Sequence, residues 1–156
     1  MKKIITVFAM LCISMIMTAC TPTIVDNSIE LNLENYETYI ETSARLFGDD
    51  GFYSSYGWWY PKVKGEVTVT AASTNYDYID VIIRVRIVGN FTRVGHDSEP
   101  KKKYDETITV SLNIGGSGVG SKSITIADVY YSNYAKNIVG EGYEVISVSG
   151  KVKPLS

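Results

Sequence analysis

Residues 63–71 read VKGEVTVTA. Val63, Gly65, Val67, Val69 and Ala71 are apolar or small, and Lys64, Glu66, Thr68 and Thr70 between them are polar. In an extended chain a period of two sends these sets to opposite faces, so the stretch is a strand with one face in a core and one in water. The same pattern spreads outward. Ile79, Val81, Ile83, Val85 and Ile87 alternate with Asp80, Arg84 and Arg86, and Ile108, Val110, Leu112 and Ile114 alternate with Thr107, Thr109, Ser111 and Asn113. After GGSGVG (115–120) the pattern resumes with Ile124 and Ile126, and the glycines predict a hairpin between those two strands. Ile146, Val148, Gly150 and Val152 form a last strand. Upstream, Ile29, Leu31 and Leu33 alternate, then Tyr36, Tyr39 and Ile40 fall at helical spacing, which predicts one or two helical turns before extended spacing returns at Ala44 and Leu46. Tyr130, Tyr131 and Tyr134 also read as a short helical crossover packed on the end of the domain. Taken together, the pattern predicts an all-β fold of about seven strands, an antiparallel sandwich of the immunoglobulin or fibronectin-III kind, with a closed barrel as the other solution.

The N-terminal segment is of another kind. Lys2 and Lys3 precede an apolar run over residues 4–17, too short to span a bilayer, and small residues lead up to Cys20. Met17-Thr18-Ala19-Cys20 resembles the lipobox of bacterial lipoproteins, with Met17 where that family usually carries Leu. The resemblance implies that residues 1–19 are a signal peptide that is removed, that Cys20 is acylated, and that residues 20–27 form a lipidated tether to a domain at 28–156. A plain secretory signal is the competing reading. The other cysteine, Cys12, lies inside the leader, so the folded domain has no thiol for a disulfide, for catalysis or for a metal.

Loss of the leader removes two lysines and no acid, which makes the formal net charge two units more negative than the −2 of the whole chain. A mildly acidic domain without a basic face is not built for nucleic acid. It gains nothing electrostatically from an anionic bilayer either, so the lipid is the expected membrane contact.

The inventory for catalysis is thin. The single histidine, His96, sits in the polar loop GHDSEPKKK, with no cysteine or serine elbow beside it. Asp49-Asp50 lies in a turn without the spaced oxygen ligands of a calcium loop. Asp105-Glu106 opens a strand, where neighbours point opposite ways. GGSGVGSKS nearly spells a phosphate loop, but the lysine is one residue late and Ser123-Ile124-Thr125-Ile126 reads as a strand where a helix is required. The expectation is therefore no catalytic residue, no metal and no cofactor.

What remains is aromatic. Residues 52–60, FYSSYGWWY, hold six rings and both tryptophans of the chain. Such rings either plug a sandwich core or form a patch that stacks on sugars or anchors a protein partner. Under the second reading Tyr53, Tyr56, Trp58, Trp59 and Tyr60 are the candidate ligand-binding residues. The opening SIELNLENYETYI, a short strand entering an Asn-Tyr-x-x-Tyr turn, resembles small envelope lipoproteins of Gram-positive bacteria; this implies an immunoglobulin-like envelope domain and carries no functional residue. The resulting expectation is a non-catalytic, lipid-anchored binding module for an envelope protein or wall polymer. Its alternatives are a carbohydrate-binding module using residues 52–60 and an inhibitor or immunity-type lipoprotein acting through loop 95–103.

Overall fold

The computed structural model describes residues 26–114 and 124–155, and for 124–133 the backbone alone. Six antiparallel strands carry the fold: β1 (Ile29–Leu31), β2 (Ile40–Tyr53), β3 (Trp59–Ala71), β4 (Tyr76–Arg93), β5 (Lys102–Ile114) and β6 (Ile124–Pro154). The helical spacing at Tyr36 becomes one turn of 3-10 helix, Tyr36–Thr38. The fold is all-β and sandwich-like, as the alternation requires. Val63, Val67, Val69 and Ala71 of β3 are buried, as are Ile79, Val81, Ile83, Val85 and Ile87 of β4 and Ile108, Val110 and Leu112 of β5. Each Val, Leu or Ile side chain so removed from water stabilises the fold by about 1.5–3 kcal/mol before the entropy of ordering is subtracted.

Strand order is β2-β3-β6-β4-β5, with β1 added to the far half of β6. The first half of β6 pairs with β3, from Thr70↔Ile124 to Lys62↔Tyr134, and the second half pairs with β4, from Arg93↔Ala135 to Tyr76↔Pro154. One strand thus serves both layers. It turns the corner near Asn137, whose φ is +52°, and bulges against β4 three times between Lys136 and Ser147, as shown by register shifts at Arg84/Val85, Val88/Gly89 and Asn90/Thr92. The two layers meet across the core, where Tyr104 of β5 lies against Gly65 of β3 and Leu46 of β2 against Gly89 of β4.

Three expectations change. The strand at Ile124 and that at Ile146 are two halves of β6, which lowers the count to six. Ile114 and Ile124 do not open a paired hairpin, because β5 pairs with β4 while the start of β6 pairs with β3; the glycines 115–120 lie outside the described residues. Tyr130, Tyr131 and Tyr134 are strand, not helix, since backbone pairing with Lys64 and Lys62 overrides their helical spacing.

The long axis has two distinct ends. Val152 pairs with Ile29 on one side and Ile79 on the other, which places the entry of the chain at the start of β4. Arg93, at the finish of β4, pairs with Ala135, next to Tyr134 and the base of the β2–β3 hairpin. From Ile79 to Arg93 the rise of ~3.3 Å per residue separates the two ends by about 45 Å.

Candidate functional site

The β2–β3 hairpin outruns the rest of the sandwich. Its last ladder pair is Tyr53↔Trp59. Ser54 N–H donates to the Trp58 carbonyl at 2.8 Å, Gly57 N–H to the Ser54 carbonyl at 2.9 Å, and Trp58 N–H to Ser54 Oγ at 3.2 Å. Gly57 has φ +80°, the left-handed residue that closes a three-residue hairpin loop. The sequence dictates this locally, because glycine adopts that conformation without a Cβ penalty.

A bulge below the tip aims its rings. The β2–β3 register shifts between Asp49 and Phe52, and Asp50 takes φ +47°. Before the bulge Phe47 faces Lys64, and after it Phe52 faces Tyr60, so an odd and an even position of β2 share the outer face with the even positions of β3. On that face Phe52 lies 5.6 Å from Tyr60 and 4.6 Å, edge-on, from Tyr134 of β6. Lys62 Nζ stands 5.9 Å from the Tyr134 ring centroid. On the inner face the Tyr53 and Trp59 rings meet at 4.9 Å, tilted by 48°. Burial falls away along β3, from the fully buried Val63 through half-buried Pro61 to Trp59, which is 44% exposed.

The tryptophans are therefore not core plugs. Trp58 is 68% exposed, Tyr53 70% and Tyr56 88%, because the hairpin runs past the level of Lys62 and Tyr134, where β3 leaves its pairing with β6. Of the five candidate residues, Tyr53 and Trp59 meet on one face, Tyr60 joins the other, and Tyr56 and Trp58 stand on the turn. Two members of the cluster lay outside that set. Phe52 was visible in the same stretch, whereas Tyr134 arrives only through the pairing of β6 with β3.

Below the rings the outer face carries ions that satisfy one another. Lys62 reaches Asp50 at 2.7 Å and Lys64 reaches Asp49 at 3.4 Å. Phe47 lies under the Arg45 guanidinium at 4.4 Å and beside Lys64 Nζ at 5.5 Å. Glu66, the buried acid of the sheet, bonds Arg45 at 2.6 Å and Lys64 at 3.5 Å. The Asp49-Asp50 carboxylates thus serve as partners for lysines. Asp105 is held by Arg86 at 2.6 Å on the neighbouring strand. His96 contacts Glu99 at 2.7 Å, and Arg93 contacts the other oxygen of Glu99 at 2.6 Å. Hydrogen bonds from Arg93 and then His96 hold the Glu99 carboxyl below its ordinary pKa. Lys136 pairs with Asp97, so the loop is tied to the strand ends around it. Among the described residues no three His, Cys, Asp or Glu side chains converge as a metal site. The near-phosphate-loop residues 115–123 lie outside the described residues, as does Cys20. A crevice of about 540 Å³ beside β6 is lined by Tyr36, Glu37, Glu41, Thr42 and Tyr143, with the Tyr143 hydroxyl donating to the Thr42 carbonyl at 3.1 Å and the Tyr36 hydroxyl to Glu37 at 3.2 Å.

Among the described residues no helix is long and apolar enough to cross a membrane. No protein-family model, curated protein or solved structure matches the chain.

Proposed function

We propose that this protein is a non-catalytic, lipid-anchored binding module of the cell envelope, and that it binds through the aromatic tip of the β2–β3 hairpin. The observation that carries this reading is the exposure of Tyr53, Tyr56, Trp58 and Trp59 on a projecting tip that the core does not need. Large rings held in water on an ordered turn are retained at a cost to solubility, and contact with a partner is what offsets it. The tether supplies the complement. Cys20 to Ser28 spans at most about 28 Å when fully extended, and it joins the domain at the end opposite the tip. An anchored molecule then presents its rings outward, to an envelope protein or wall polymer.

The test has two parts. Iodide is expected to quench the tryptophan emission of the free protein, and Trp58→Ala with Trp59→Ala is expected to abolish its retention on isolated cell envelopes; unchanged retention would remove the tip from the function. Cys20→Ser is expected to release the protein into the medium and to end labelling by a fatty-acid analogue, and persistent labelling would place the acyl group elsewhere.

A further inference from the structure

We infer that the ligand of the hairpin tip is an uncharged glycan chain, an inference that rests on the tip being the contact surface. Residues 51–61 carry no charge; the first ions on either side are Asp50 and Lys62, and these neutralise each other at 2.7 Å. The tip therefore offers a ligand rings and hydroxyls, from Tyr53, Ser54, Ser55, Tyr56 and Tyr60, and no unbalanced charge. A pyranose matches that surface, since its C–H face stacks on an aromatic ring and its equatorial hydroxyls exchange hydrogen bonds at the rim.

Ring placement separates a chain-like ligand from a protein. The Tyr53/Trp59 pair and the Phe52/Tyr60 pair lie on opposite faces of the β2–β3 hairpin, and Tyr134 of β6 joins the second. A flat protein surface can cover one face only. A flexible polymer can line both. Position separates it from the bilayer that holds the anchor, because the tip stands about 45 Å along β4 from the strand where the tether enters.

All described strands and core residues lie between Ile29 and Pro154, so the chain from Asp26 onward holds every one of them and is used as the probe. Its tryptophan emission is followed against N-acetylglucosamine hexamer, cellohexaose and phosphatidylcholine vesicles, with cosedimentation on wall sacculi stripped of anionic polymer. Saturable change with an oligosaccharide or with sacculi is expected. Trp59→Ala should weaken it roughly tenfold, the equivalent of about 1.4 kcal/mol for a lost stacking ring. Leu33→Ala, exposed beside Val148 and away from the tip, should leave it unchanged. A response to vesicles alone would overturn the glycan and keep the tip as a contact surface. Silence toward every glycan, with Trp59→Ala still abolishing envelope retention, would also overturn the glycan and leave a protein partner. Silence together with unchanged retention would overturn the tip as well.

Discussion

Two glycines carry close approaches, Gly65 between the layers and Gly150 between the paired strands β6 and β4. A Cβ on Gly65 would strike the Tyr104 hydroxyl and lie 2.8 Å from its Cζ, and Tyr104 is fully buried with nowhere to retreat. Gly65→Ala is therefore expected to cost about 1–3 kcal/mol in urea unfolding, as overpacking does. Gly150 combines φ +143° with a Cβ position against the Asp80 carbonyl and 2.6 Å from Val81 Cα, so Gly150→Ala meets both strain and backbone. Its cost should equal or exceed that of Gly65→Ala. The tip rings should behave in the opposite way. Trp58→Ala or Tyr56→Ala is expected to change stability by no more than about 0.5 kcal/mol, because these side chains pack on little. A large loss would mean that they are core after all. The sequence presented Gly65 as one small residue in an apolar row; that it seats a tyrosine from β5 is a long-range fact that no local pattern encodes.

At the level of elements, β4 is an interior strand and β5 an edge. β4 pairs with β6 along one side and β5 along the other, so its amides should exchange with solvent slowest, and those of the β2–β3 tip fastest. Hydrogen exchange checks this order directly. The edge strand is secured in part by charge. Hydrogen bonds from Arg86 and then Lys103 hold the Asp105 carboxyl far below the usual carboxylate range. A carboxyl lowered in the folded state binds fewer protons there than in the unfolded chain, so its stabilisation is complete above about pH 4 and is lost as pH falls through the folded value. Asp105→Asn should accordingly lower the melting temperature slightly at pH 7, as loss of an exposed pair does, and the gap to wild type should close as pH falls below 4. A parallel acid limb in wild type and variant would remove Asp105 from the titration. The alternation at 63–71, 79–87 and 108–114 identified these strands from residue type alone. It did not say that β5 pairs only with β4, or that Tyr130 to Tyr134 extend β6, because pairing partners are chosen by the fit of whole faces.

On the scale of the whole molecule, the separation of tether and tip is the property with functional weight. The chain beyond Cys20 contains no cysteine, so labels can be placed cleanly at Ser28→Cys and Ser55→Cys. Their distance should lie on the order of 45 Å, and one below about 25 Å would fold the tip back toward the anchor. By itself the sequence determined the all-β class, helical turning near Tyr36, the absence of thiols beyond Cys20 and the concentration of rings at 52–60, because these follow from residue type and short spacing. Tertiary structure alone decided that those rings are exposed rather than buried, that Tyr134 joins them, and that β6 serves both layers. The physical reason is that burial depends on what lies opposite: the hairpin runs past the end of β4, and only the paired lengths of distant strands say where that end is.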